Sequence, residues 1–297
     1  MYVAANGTEI YIDVEGSQLE VAGARLRPRR TLVALHGGPG FDQGYLRPGL
    51  GPLSNLAQVV YFDLRGQGRS AATEPELCTL EQMADDVAAV CGVLGIERPI
   101  VFGHSAGGFV ALHMALRHPA LLGGLILCNT SPTLAPIVDG RPPPPGLMER
   151  AGPEVAAVAA RLFGGDMSPA TREAFNRLVL PFYAGPSHMG VPSQIMALSG
   201  FSPDVAMYFF GTLARAYDLR KRLNEITAPA LVIVGHFDWV CPAAGGRALA
   251  AGMPNAELLE LADSGHFGFS EEPKNFLDAV SAYLARLPGA PSKRLEH

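Results

Sequence analysis

The chain has 297 residues, a formal net charge of −5 and a 48% hydrophobic composition, ample for one large or two small folded cores. Acidic and basic residues are interspersed, so no basic stripe is available for the phosphate contacts that dominate nucleic-acid affinity, and no nucleic-acid partner is expected. No apolar run approaches the ~20 residues that span a bilayer, and the stretch from Met1 to Asn6 lacks a charged segment followed by a signal-type core, so a cytoplasmic protein with no membrane partner is expected.

In chain order, Glu9 to Val14 and Gln18 to Val21 alternate around Glu15-Gly16-Ser17, which predicts an antiparallel hairpin at a sheet edge. The basic cluster Arg25, Arg27, Arg29 and Arg30 reads as a solvated hairpin tip. Thr31 to Leu35, Val59 to Phe62, Ile100 to Phe102, Leu125 to Cys128 and Leu231 to Val234 are short continuous apolar runs, the pattern of strands buried on both faces of a parallel sheet. Between them Leu80, Met83, Val87, Val90 and Leu94 fall on one helical face, behind Thr79 and Gln82 spaced as a capping box. A final helix carries Phe276, Leu277, Val280, Leu284 and Leu287 behind Pro273. The βα alternation predicts an α/β fold with helices on both faces and the loops after each strand gathered along one edge, where open α/β sheets hold ligands.

The alternation stops from Pro132 to Arg222, where the polyproline stretch Arg141-Pro142-Pro143-Pro144-Pro145-Gly146 leads into helical patterns rich in methionine and aromatic residues. This predicts an inserted helical cap at 132–222 between core segments 1–131 and 223–288. Residues 289–297 read as a tail that ends in an expression-tag remnant, Leu295-Glu296-His297. Phe182, Tyr183, Met207 and Phe210 are the candidate substrate contacts, lining an apolar, methionine-rich cavity between cap and sheet.

The chemistry centres on Gly103-His104-Ser105-Ala106-Gly107, which closes one apolar run and opens a helix from about Ala106. Glycines on both sides of Ser105 permit a sharp strand-turn-helix elbow that presents the hydroxyl, with the helix N-terminus aimed at charge developing beside it. A serine needs a base, and that base needs an orienting acid. Asp238 follows the run Leu231–Val234 within Gly235-His236-Phe237-Asp238-Trp239-Val240-Cys241-Pro242. His266 follows a last strand at Glu257 to Leu261, after Ala262-Asp263-Ser264-Gly265. Ser105 as nucleophile, Asp238 as acid and His266 as base give the chain order Ser, Asp, His. Asp263 is the rival acid, and the position after Leu125–Cys128 reads Asn129-Thr130, with no carboxylate. The amides of Ala106 and of Gly38, in the loop His36-Gly37-Gly38-Pro39-Gly40, are the candidate oxyanion donors. Four cysteines, Cys78, Cys91, Cys128 and Cys241, lie far apart without metal-ligand spacing, so packed thiols and no metal are expected.

Together these residues resemble the α/β-hydrolase fold superfamily over nearly the whole chain outside the cap. His36-Gly37-Gly38-Pro39-Gly40, Asp63-Leu64-Arg65-Gly66-Gln67-Gly68-Arg69-Ser70 and Gly235–Pro242 resemble its proline iminopeptidase branch. The resemblance implies a mostly parallel eight-stranded sheet with an inserted cap, the triad Ser105, Asp238 and His266, and no cofactor. It implies a chiefly architectural role for the Asp63–Ser70 motif. Proline iminopeptidases hold a free amino terminus with acidic residues from the cap region, and usually carry a bulkier residue where Ala106 stands. Here Asp166, Glu173, Asp204, Asp218 and Glu225 match no such context. An apolar cavity favours a neutral ester, lactone or amide, because an unpaired buried ammonium is costly. The expected activity is thus serine hydrolysis of a small, largely apolar ester, lactone or amide. The alternatives are a proline iminopeptidase-like aminopeptidase and a non-catalytic receptor on the same scaffold.

Overall fold

The computed structural model describes residues 1–288. Positions 289–297, read above as a tail and tag remnant, lie outside the described residues. Among the described residues ten strands form: β1 (Tyr2–Ala5), β2 (Thr8–Glu15), β3 (Leu19–Ala22), β4 (Arg25–Pro28), β5 (Thr31–Leu35), β6 (Gln58–Phe62), β7 (Ile100–His104), β8 (Gly124–Cys128), β9 (Ala230–Gly235) and β10 (Ala256–Leu261). Eight of them make one sheet in the order β1-β2-β6-β5-β7-β8-β9-β10. The pairs β1–β2 and β2–β6 are antiparallel, and the rest of the sheet is parallel.

The apolar runs become central strands because both of their faces are covered. In β5, Val33 and Leu35 face one core, which also takes Val87 and Val90 of the helix Leu80–Val93 and Val110 and Leu112 of the helix Ala106–Arg117. Leu32 and Ala34 face a second core with Phe276, Val280 and Leu284 of the helix Pro273–Arg286. Fully buried side chains such as Phe102 and Ile126 each contribute roughly 1.5–3 kcal/mol by leaving water. Thr79 caps its helix by accepting from the Gln82 amide at 3.1 Å. The Gln82 side chain does not complete the box, because it donates to Asp86 at 3.0 Å.

Two edge readings change. The hairpin partner of β2 is β1, with β6 on its other side, and Gln18 to Val21 belongs with β3, which pairs with β4 in a separate two-stranded sheet. Arg25 and Arg27 therefore sit within a strand and not at a hairpin tip, while the Arg30 guanidinium donates to the carbonyls of Leu287 and Pro288 at 2.6 Å. Alternation alone specifies a strand with two unlike faces and leaves its partner open.

Between β8 and β9 all the long elements are helical, among them Pro153–Phe163 and Pro169–Leu178, with a small core of their own around Leu147, Ala159, Phe175 and Val179. Among the described residues no helix is long and apolar enough to cross a membrane.

The chain runs from β5 to β6 on one side and then to β7 on the other side of β5, so the strand order reverses at β5. Ligands of open α/β sheets bind beyond the strand ends at such a reversal. The loop His36–Gly40 leaves β5 there, and Ser105 leaves β7.

Candidate active site

Each residue that the sequence marks for a catalytic role follows the carboxyl end of a parallel strand: Gly38 after β5, Ser105 after β7, Asp238 after β9 and His266 after β10. Ser105 has φ 53° and ψ −122°, a conformation that costs a non-glycine residue about 1–3 kcal/mol. The surroundings hold it there. Its N–H donates to the Cys128 carbonyl at 3.1 Å, and its carbonyl accepts from Thr130 Oγ1 at 2.8 Å. The flanking glycines are steric necessities: a Cβ on Gly103 would meet the Gly107 carbonyl oxygen at 2.5 Å, and one on Gly107 would meet the His36 oxygen at 2.6 Å.

His266 is 3% exposed and Asp238 is 1% exposed. The imidazole Nδ1 lies 2.8 Å from Asp238 Oδ2. Asp238 Oδ1 accepts from the amides of Val240 and Cys241, both at 2.9 Å, so the carboxylate is fixed by its own turn. The rival Asp263 is exposed and contributes its main-chain N–H to Glu272. Thus the acid beside the imidazole is Asp238. Of the other histidines, His236 faces Glu260 at 3.4 Å, His118 pairs with Asp85, and His113 lies 3.7 Å from Glu81.

The loop after β5 brings its backbone against Ser105, where a Cβ on Gly37 would stand 2.7 Å from the Ser105 Cβ. Its amides divide the work. Gly37 N–H donates to Tyr45 Oη at 2.5 Å and Gly40 N–H to Gln67 Oε1 at 2.6 Å. Between them Gly38 has no acceptor for its N–H among the described residues and lines the cavity. Ala106 opens its helix, so its N–H has no partner within it. The Asp63–Ser70 motif supports this loop: Asp63 accepts from the amides of Gln43 and Arg69, and Arg65 forms a buried pair with Asp86 at 2.7 Å.

Several participants escape a reading by motif. His104 Nε2 donates to the His266 carbonyl at 2.8 Å, while its Nδ1 accepts from Tyr45 Oη at 2.7 Å. Gly37, Tyr45, His104 and His266 thereby form one hydrogen-bonded chain from the β5 loop to the β10 loop. Burial, reinforced by the neighbouring His266, holds His104 well below the usual histidine pKa and thus neutral, as its donor and acceptor roles require. Asn129, which stands where a carboxylate was sought, donates to Asp238 Oδ2 at 3.0 Å and to the Gly265 carbonyl at 2.9 Å. Glu271 accepts from the amides of Gly185, Gly265 and Phe267 at 2.7–2.8 Å, binding the His266 loop to the cap. Burial raises its pKa, against the lowering effect of those amides. Cys241 is buried with its thiol in hydrogen-bonding contact with Ser105. Burial and the adjacent Asp238 push that thiol well above its usual range.

A cavity of about 700 Å³ lies over Ser105 and His266, within the size range of small-molecule sites. Tyr183 and Phe210 line it; Phe182 and Met207 do not. Phe182 uses its carbonyl to accept from Trp239 Nε1 and Arg150, and Met207 is 42% exposed. The reason lies in the chain path, since the helix Pro203–Tyr208 continues as a π-helical turn, Phe209–Leu213, which breaks the regular helical spacing. The lining is phenylalanine-rich, with Met167 and Met196 the methionines in it. No carboxylate is among its described lining residues. Asp166, Asp218 and Glu225 pair with Arg161, Arg220 and Arg222, and Glu173 and Asp204 are exposed.

Comparison with known proteins agrees with this architecture. The chain is 31% identical over 278 residues to a putative carbamate hydrolase, RutD, of Caulobacter sp. strain K31, covering 92% of this chain and 97% of the relative. It is 25% identical over 287 residues to the proline iminopeptidase PfmaB of Pestalotiopsis fici, covering 93% and 99%. Among solved structures it resembles the enol-lactonase of Burkholderia xenovorans LB400, with a TM-score of 0.72, 27% identity and coverage of 96% of this chain and 100% of the other. Residues 30–273 match the alpha/beta hydrolase fold family, and the chain belongs to that family.

Proposed function

We propose that this α/β-hydrolase cleaves a carboxylic ester or lactone through an acyl-enzyme on Ser105. His266 Nε2 takes the Ser105 proton as the oxygen attacks the carbonyl carbon, and Asp238 at Nδ1 keeps the tautomer that leaves Nε2 free to accept it. The oxyanion rests on the Gly38 and Ala106 amides. As the intermediate collapses, the bond to the leaving oxygen breaks and that oxygen takes the proton from His266. In a lactone the alcohol so formed stays attached to the acyl chain. Water, deprotonated by the same imidazole, then releases the acid and restores Ser105.

The observation that carries the choice of substrate is the absence of any carboxylate among the described residues of the cavity wall. An aminopeptidase must hold a cationic amino terminus, and burying an ammonium unpaired is prohibitively costly. The enol-lactonase likeness supports the same side. The test compares p-nitrophenyl butyrate and a γ-lactone with L-proline p-nitroanilide. Ester and lactone kcat/KM values at least a hundredfold above that of the prolyl amide are expected. Dominant prolyl cleavage would establish the aminopeptidase reading, and inertness towards all three and towards a fluorophosphonate would establish the receptor.

A further inference from the structure

Among the described residues the cavity wall contains one guanidinium. Arg172, on the helix Pro169–Leu178, lines it with a buried Nε that has no hydrogen-bond partner. Among the described residues the side-chain contact of this group is the Phe201 ring, whose centroid lies 5.8 Å from Cζ. A ring face offers a cation some attraction but accepts no directed N–H bond of normal strength. Other arginines with buried atoms are supplied differently. Arg65 has Asp86, and Arg150 has the Phe182 and Ala184 carbonyls. Arg29 shares an unpartnered buried Nε, but its Nη1 donates to the Ser54 carbonyl and Glu20 lies 3.7 Å from its Nε, whereas Arg172 has no carbonyl or carboxylate partner for its side chain among the described residues. Asn176 stands one turn after Arg172 and lines the same cavity, so the two share a helix face.

We propose that Arg172, with Asn176 beside it, is a subsite for a carboxylate carried by the substrate. This rests on the reading of Ser105 as the reacting end of the same cavity. The substrate class then narrows to esters or lactones of acids that keep a second, ionised carboxyl group, with the scissile carbonyl at Ser105 and the anion at the cap. A guanidinium suits a planar carboxylate through paired N–H donors. A phosphate dianion fits less well, because the described wall offers no second permanent cation. The rings of Phe41 and Phe201, with centroids 5.0 Å apart, stand on the same wall, Phe201 against the guanidinium.

Binding and turnover separate the two readings. Trp239 is the single tryptophan of the chain and lines the cavity, so its fluorescence reports occupancy. Ser105→Ala protein is titrated with monomethyl adipate and with dimethyl adipate, which differ by the ionised carboxyl group. The monoanion is expected to bind at least tenfold more tightly. Adding Arg172→Gln should bring the two affinities together, whereas Arg172→Lys should keep part of the preference. Thermal melting confirms that each variant is folded, and the lysine variant carries the test if the glutamine variant is not. Equal affinities in the Ser105→Ala protein, no saturable binding of the monoanion, or a preference that survives Arg172→Gln would overturn the subsite. Hydrolysis of both esters by the unaltered enzyme alongside equal affinities overturns the subsite and leaves the hydrolase reading standing. A tenfold binding preference without hydrolysis of any ester or lactone does the reverse.

Discussion

Replacing Tyr45 by Phe removes one oxygen from the hydrogen-bonded chain that joins the two loops of the site. Tyr45 is 1% exposed, and its hydroxyl both accepts from Gly37 N–H and donates to His104 Nδ1. Without it a buried amide and a buried imidazole nitrogen lose their partners. Each stranded group costs about 1–3 kcal/mol, so a loss of roughly 2–6 kcal/mol of folding stability is expected. That is a large share of the roughly 5–15 kcal/mol that a domain has in total. The catalytic consequence is separate. Gly37 precedes Gly38, the proposed oxyanion donor, and His104 holds the carbonyl of His266, so both ends of the proposed site lose a restraint. A fall of about tenfold or more in kcat follows from small misplacement of this kind, with KM changing less. Urea denaturation and ester kinetics on the same preparation read the two effects. A Tyr45→Phe protein within about 0.5 kcal/mol of the parent and with unchanged kcat would refute the reasoning.

Other outcomes follow from the same contacts. Asp238→Asn should lower kcat by about ten thousandfold by favouring the wrong imidazole tautomer, whereas Asp263→Asn, at an exposed position, should leave kcat within a fewfold; steady-state ester hydrolysis distinguishes them. Gly107→Ala would drive a Cβ into the Leu35 and His36 carbonyls and should cost about 3 kcal/mol, read by denaturation, with a neutral result showing that the elbow can relax. Arg65→Met leaves Asp86 buried without its cation and should cost about 3–5 kcal/mol, again by denaturation. Burial holds the pKa of both His36 and His104 below the usual 6.5. Their neutral forms therefore contribute stability that is complete above 6.5 and is lost as pH falls from 6.5 towards the lower folded values, because unfolding then takes up protons. The loss is up to about 1.4 kcal/mol per pH unit for each histidine. Denaturation midpoints at pH 7.5, 6.5 and 5.5 should fall in that order, and a flat or rising series would contradict it.

Much of this molecule could be read from sequence because its information is local. Continuous apolar runs such as Thr31–Leu35 fix central strands, since any strand so apolar must be covered on both faces. Positions 105, 238 and 266 follow turns that close predicted strands, and those turns lie at one sheet edge. What escaped is long-range. Tyr45 and His104 are 59 residues apart, and His104 and His266 are 162 apart. Nothing in the spacing of Asn129 or Glu271 announces that each fastens the His266 loop. The hairpin error has a similar origin, because alternation in Gln18–Val21 says which side chains share a face but not that β4 is the partner. In the cap a π-helical turn defeated helical periodicity, placing Phe210 on the cavity while Met207 faces outward. Arg172 has no sequence signal of its own, because an arginine on an amphipathic helix reads as solvated until the wall it faces is known.

Under this proposal a substrate acyl group is transferred to Ser105. Intact-protein mass spectrometry after brief exposure to an activated ester, followed by peptide mapping, tests it directly, with the neighbouring Cys241 thiol as the competing nucleophile. One acyl group on the peptide that contains Ser105, absent from Ser105→Ala protein, is the predicted result. An adduct on Cys241, or turnover that continues at an undiminished rate in the Ser105→Ala protein, would contradict the account.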